Sequence, residues 1–229
     1  MRYFNHLPVL AFTSDASIDF TPACLDSPLT RAQQEYLKAQ TGWEIPQVFW
    51  RKQVHGHRVI PAQGRASDCA AHPPADGFVT NQQGLPIAIR TADCLPVFIF
   101  DPVKKALGLA HAGWKGTKAQ IAVKTIKTMQ DKFGSRCYDL QIGLGPAIRG
   151  CCYKVGGEFK DYFPQDLIQR EGELYLDMIA ANRRQLLSAG VLARNIFDSQ
   201  ACTSCDRKYF SFRRDGEKAG RMVSVMMLL

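Results

Sequence analysis

Three short apolar runs lie almost back to back in the middle of this chain: LPIAIRT (85–91), LPVFIFD (95–101) and ALGLAHAG (106–113). Short apolar runs bounded by turn signals read as buried strands. The residues TADC (91–94) fall in the tight connection between the first two, and Pro102-Val103-Lys104-Lys105 makes the turn into the third. A chain that opens its centre this way builds around a sheet, and its remaining segments must cover that sheet.

The covering segments carry helical signals. TRAQQEYLKAQT, from Thr30 to Thr41, predicts a helix stopped by Gly42. The clearest helix runs from Thr117 to about Phe133, with Ile121, Val123, Thr125, Ile126 and Met129 as its apolar face, Thr117 as N-cap and Gly134 as stop. A second good helix is expected from Glu173 to Ala189. PQVFWRKQVHG reads as a strand entering a turn at Gly56, CAAHPPA (69–75) as a loop, and DLQIGLGPAI as a strand ending in a Gly-Pro turn. KYFSFRRDG and RMVSVMMLL read as two strands joined by a glycine-containing loop. The class is therefore α/β or α+β, and hairpin-like strand pairs favour a mixed sheet over a purely parallel one. Without a linker-like stretch, residues 1–229 are expected to form one domain.

The charge balance bears on partners. Twenty-nine basic against 21 acidic residues give +8. Basic pairs such as Arg51-Lys52 and Arg213-Arg214 are scattered, with no long basic run and no aromatic interleaving. That favours a surface attracting small anionic substrates over nucleic acid. The opening MRYFNHLPVLAFTSDAS lacks the continuous apolar stretch of a signal sequence, and no segment approaches the roughly 20 apolar residues that span a bilayer. The expectation is a cytoplasmic protein without membrane attachment, its eight cysteines free or metal-bound.

His55, Cys94 and His111 stand out by position. His55 sits where a strand meets Gly56, Cys94 follows Asp93 between two strands, and His111 closes a strand before Ala112-Gly113-Trp114. Ligand-binding groups gather at strand ends in sheet-based enzymes. One thiolate and two imidazoles suit zinc and leave a fourth position open. Taken singly, each has a plainer reading: a hydrogen-bonding histidine at a strand end, a small cysteine in a core. Spacing alone gives no local metal signature.

The surrounding blocks add a resemblance. QVHG (53–56), ADG (75–77), TADCLPV (91–97), AHAGWKGT (110–117), GPAIRGCCYKVG (145–156) and FSFRRDG (210–216), followed by Gly220-Arg221, occur in this order. From about Gln47 onward the chain resembles the laccase-domain family, also described as multicopper polyphenol oxidase-like or purine nucleoside phosphorylase proteins. The resemblance implies a YfiH-like α/β sandwich with two mixed sheets between helical layers. It implies zinc on His55, Cys94 and His111, and phosphorolysis of adenosine, inosine and methylthioadenosine with adenosine deamination at the same site. It also carries an older label, copper-dependent polyphenol oxidase, and a suggested role in editing cell-wall precursors. Five histidines (His6, His55, His57, His72, His111) are too few for a trinuclear cluster plus a blue-copper site, so zinc is expected over copper.

For such a reaction Asp93 is a candidate proton shuttle or outer hydrogen-bond partner, and Arg90, Lys115, Arg213 and Arg214 are candidate anion binders; for each arginine a solvated surface charge is the competing reading. Partners are then a purine nucleoside and phosphate, with the chain a monomer or weak homodimer. The competing functions are a hydrolase with Cys94 as nucleophile and His55 or His111 as base, and a metal-binding partner protein without turnover.

Two features stand apart. Cys202-x-x-Cys205 is half of a zinc ribbon or a redox pair, but no second C-x-x-C exists, and vicinal Cys151-Cys152 reads as a tight turn or core; all four are assigned structural roles. Lys154 stands where the family shows an acidic residue, and residues 1–40 lack clear counterparts of the family's N-terminal segments.

Overall fold

The computed structural model describes residues 1–22, 27–64 and 73–229. Of the loop expected over 69–75, Cys69 to His72 lie outside these residues, as does Cys24.

Along the chain the elements are β1 (Val9–Thr13), α1 (Arg31–Thr41), β2 (Val59–Pro61), β3 (Gly77–Thr80), β4 (Ile87–Thr91), β5 (Leu95–Asp101), β6 (Ala106–Ala112), α2 (Trp114–Lys118) and α3 (Ile121–Phe133). They continue with β7 (Gln141–Leu144), β8 (Lys154–Val155), α4 (Phe159–Tyr162), β9 (Leu167–Arg170), β10 (Glu173–Leu176), α5 (Met178–Ser188), β11 (Ile196–Asp198), α6 (Phe212–Asp215) and β12 (Met222–Leu228).

A six-stranded mixed sheet runs in the order β11-β7-β5-β6-β3-β2. A three-stranded antiparallel sheet, β1-β12-β4, packs on one of its faces. Side-chain alternation makes the layers. Leu95, Val97 and Ile99 of β5 enter one core with Ile121, Ile126 and Met129 of α3 and Ile179 and Leu186 of α5. Their neighbours Phe98 and Phe100 point the other way, into a second core with Ile87, Ile89, Val9 and Met226 of the smaller sheet. That sheet's outer side, Leu10, Phe12, Val223 and Val225, closes on Leu37 of α1 in a third core. The result is two packed sheets between helical layers, the mixed α/β sandwich expected, except that the smaller sheet is antiparallel and a third sheet, β8-β10-β9, is also present. With both faces covered, the central strands read as continuous apolar runs.

Helix α1 matches its expectation, with a Thr30–Gln33 capping box and Gly42 left-handed at its end. Four expectations need correction. The helix expected from Thr117 begins at Trp114 and breaks at Gln120, which is left-handed at φ 58°; Thr117 does not cap, because its hydroxyl accepts from Asn182 Nδ2 of α5 at 2.9 Å. Glu173–Leu176 is strand, not helix: it folds back on β9 through a Glu171-Gly172 turn with both φ positive, and α5 starts only after its N-cap Asp177. Phe212–Asp215 is a short helix capped by the Ser211 hydroxyl, not a strand. The segment before Gly56 makes one bridge, Phe49 to Ile87, and then leaves the sheet. Its ladder position is taken by the Gln53 side-chain amide, which donates to Arg90 O at 2.9 Å and accepts from Arg90 N at 2.8 Å.

β4 and β5 are strands as expected, but they are not partners. β4 pairs with β12 and β5 with β6 and β7. The TADC connection carries the chain from one sheet to the other, through Asp93 at φ 86°.

Candidate metal centre and its cavity

The centre is organised around Asp76, buried just ahead of β3. Its carboxylate accepts the backbone N–H groups of Val54 (3.2 Å), His55 (3.0 Å) and Gly56 (2.8 Å), which folds the turn that presents His55. His55 itself is left-handed at φ 56°, a conformation costly for a non-glycine residue and characteristic of functional turns. The same carboxylate lies 2.8 Å from His111 Nδ1 on β6. His111 N also donates to Asp76 O at 2.7 Å, so backbone and side chain both join the two residues. With Nδ1 engaged, Nε2 of His111 is the nitrogen available to a metal.

Cys94 enters from the TADC crossover. The ligand atoms of His55, Cys94 and His111 all lie within 4.8 Å of one another, and the two imidazole rings are 4.9 Å apart. His111 is buried and His55 exposed, so the group runs from the core to the mouth of a cavity. Gly113 packs close against the group: a Cβ there would sit 3.0 Å from Cys94 Sγ and 3.3 Å from His55 Cδ2.

The electrostatics match a cation site. Burial pushes the Cys94 thiol up, but the charge and hydrogen bond of His111, with His55, pull it down to about 6. Burial pushes the His111 imidazole down, and Cys94 with Asp76 raise it to about 9. A bound divalent ion would displace the imidazolium proton and keep thiolate and imidazole as ligands, and one thiolate with two imidazoles is a fitting donor set for zinc.

The centre opens into a cavity of about 780 Å³. Its lining includes Lys52, Arg90, Arg213 and Arg221 as cations, Asp93 as an acid, and Trp114, Tyr153 and Phe212 as aromatic walls. Arg90 stacks on Trp50, its guanidinium carbon 3.5 Å from the ring centroid, and its buried Nε and Nη2 have no hydrogen-bond partner among the described residues. Burial pulls Arg90 down to about 10, which leaves it charged at neutral pH.

Of the residues singled out in the sequence, His55, Cys94, His111, Asp93, Arg90 and Arg213 meet in this cavity. Asp93 has both oxygens engaged, accepting Thr203 Oγ1 and Arg213 N at 2.6 Å each, so it shapes the site and ties in α6. Lys115 and Arg214 are not among the lining residues. Arg214 is spent on Thr203 O, Tyr209 O and Asp215, and the Lys115 ammonium lies 5.5 Å from the Trp114 ring. Lys154 pairs with Glu173 at 2.9 Å, so its reversed charge is answered there. Asp76, Lys52 and Arg221 went unassigned in the sequence; the ADG block around Asp76 and the Gly220-Arg221 pair were the signals that could have pointed to two of them.

The multi-copper polyphenol oxidoreductase laccase family matches residues 16–229. The chain belongs to this family. Within the laccase-domain family it is 35% identical over 213 residues to adenosine deaminase RL5 of an unknown prokaryotic organism, covering 86% of this chain and 79% of that protein. It is 32% identical over 206 residues to purine nucleoside phosphorylase YlmD of Bacillus subtilis (strain 168), covering 83% and 74%. The hypothetical protein YfiH of Bacillus licheniformis superposes with a TM-score of 0.83 at 30% identity, covering 96% of this chain and 93% of that one. YlmD from Geobacillus stearothermophilus superposes with a TM-score of 0.82 at 29% identity, covering 96% and 92%.

Proposed function

We propose that this chain is a zinc-dependent purine nucleoside phosphorylase acting on adenosine, inosine and methylthioadenosine, with adenosine deamination at the same site. The observation that carries the reading is the meeting of His55, Cys94 and His111 at the end of a cationic, aromatic-walled cavity. The relatives named purine nucleoside phosphorylase and adenosine deaminase supply the substrate class.

His55, Cys94 and His111 would hold the zinc, which when bound supplies Lewis-acid polarisation of a substrate oxygen. The chain's own residues do the rest. Asp76 fixes the tautomer of His111 and the turn of His55. Arg90, Lys52 and Arg221 line the cavity and would provide positive charge for a phosphate dianion. In phosphorolysis a phosphate oxygen forms the new bond to the ribose anomeric carbon as the bond to the purine nitrogen breaks. Trp114, Tyr153 and Phe212 offer flat faces for the departing base. Zinc is favoured over a multicopper assembly because five histidines cannot furnish the latter.

One geometric fact favours a second reading. Cys94, His111 and Asp76 line up as thiol, imidazole and carboxylate, the order of a thiol-hydrolase triad. The two readings separate on one comparison: a thiol hydrolase works after chelation and fails after alkylation, whereas the zinc phosphorylase fails after chelation and regains activity with added zinc. Base release from adenosine or inosine that requires phosphate marks phosphorolysis, and ammonia release marks deamination.

A further inference from the structure

Four cysteines from two segments distant in the chain converge. Cys151 and Cys152 follow the Gly-Pro turn after β7, and Cys202 and Cys205 follow β11, some fifty residues later. All four sulfurs lie within 4.8 Å of one another. Cys205 Sγ is 3.2 Å from Cys152 Sγ and 3.6 Å from Cys151 Sγ, and none of the four is in a disulfide. A disulfide needs two sulfurs at about 2.05 Å. Four sulfurs around tetrahedral zinc, with Zn–S of about 2.3 Å, stand roughly 3.8 Å apart.

Guanidinium groups lie close to the anionic charge such a cluster would carry. Arg170 donates to Gly150 O and Cys151 O, and Arg213 to Cys152 O.

We infer that Cys151, Cys152, Cys202 and Cys205 form a second, four-thiolate zinc site, separate from the His55–Cys94–His111 centre. The donor set is complete without water, so the site is closed and structural. Its place in the fold explains its use. Thr203, next to Cys202, donates to the Asp93 carboxylate and takes Ala147 O through its backbone N–H at 3.1 Å. Arg213, which donates to Cys152 O and Lys154 O, gives its backbone N–H to the other Asp93 oxygen. Clamping segments 147–152 and 202–205 together holds the Asp93 turn from which Cys94 projects.

The test uses the full chain, expressed with zinc and purified reduced. Elemental analysis of the Cys94→Ala/His111→Ala protein should retain one zinc per chain, and adding Cys202→Ser should remove it. Cobalt substitution of the Cys94→Ala/His111→Ala protein should give the intense thiolate charge-transfer bands of a tetrahedral four-sulfur site. A second measurement needs no substitution. Cys151 and Cys205 are exposed, so ordinary thiols there would alkylate at once. In the zinc-loaded wild-type chain, peptide mapping should find both protected until a chelator is added. Prompt alkylation of Cys151 and Cys205 without chelator, a Cys94→Ala/His111→Ala protein free of zinc, or a Cys152–Cys205 disulfide as the form present in reduced, zinc-replete protein would each overturn the assignment.

Discussion

His111 Nδ1 lies 2.8 Å from Asp76 Oδ1, and both side chains are sealed from solvent. The same carboxylate collects three backbone N–H groups from the turn of His55. One buried acid therefore sets both imidazoles, although it binds no metal in the proposed scheme. Outer groups of this kind typically change metal affinity about 10–100-fold when removed. Asp76→Asn should lower zinc affinity by that order, read by competition with a chromophoric chelator, while Cys94 and both histidines remain. Unchanged affinity would mean that the turn and the imidazoles are held by something else.

Gly113 gives an independent handle on the same centre. Its added Cβ would meet Cys94 Sγ at 3.0 Å and His55 Cδ2 at 3.3 Å, and its φ of −73° imposes no backbone strain on alanine. Gly113→Ala should therefore keep the wild-type melting temperature of the metal-free protein yet bind zinc about tenfold or more weakly. Calorimetry on metal-free protein followed by zinc titration separates the two effects.

Arg90 is the most exacting of the proposed phosphate ligands. Its guanidinium carbon is held 3.5 Å from the Trp50 ring centroid, and the side chain lines the cavity. A charge-assisted hydrogen bond is worth about 1.5–3 kcal/mol, or roughly 10–150-fold in affinity. Arg90→Ala should raise KM for phosphate by that factor and leave KM for adenosine nearly unchanged. Arg90→Lys should recover little, since lysine lacks the planar fork. Steady-state kinetics at varied phosphate check this.

Asp198 predicts an acid limb of stability. Burial pushes its carboxyl up, but Arg149, bonded to both oxygens at 2.8 Å, and the Gln200 N–H hold it below the ordinary range. A depressed carboxyl contributes stability that is present above its unfolded value, about 4, and lost as pH falls through the folded value. The melting temperature of wild type should exceed that of Asp198→Asn near neutrality, and the gap should close below about pH 4.

Legibility in the sequence followed burial. The strands β4 to β6 were readable because covered sheet faces demand unbroken apolar runs. Cys94 and His111 were readable as polar residues at the ends of such runs, whereas the segment before His55 leaves the sheet after one bridge, and His55 was marked by the QVHG block. Other features depend on partners distant in the chain, which local pattern does not encode. Thr117 looks like a cap until Asn182, 65 residues on, claims its hydroxyl. Glu173–Leu176 has helical composition, but the Glu171-Gly172 turn returns it onto β9. Arg214 resembles Arg213 in sequence and differs only in what surrounds it. The vicinal pair Cys151-Cys152 gained meaning only when β7 and β11, parallel neighbours, brought it to Cys202 and Cys205.

The central claim is that the zinc on His55, Cys94 and His111 is the engine of nucleoside cleavage. The most direct measurement titrates zinc into protein stripped at that centre and follows adenine release from adenosine in the presence of phosphate. The account predicts release that rises in proportion to zinc at the centre, that stops without phosphate, and that is absent in His111→Ala at every zinc level. Full adenine release from stripped protein, or from His111→Ala, would contradict it.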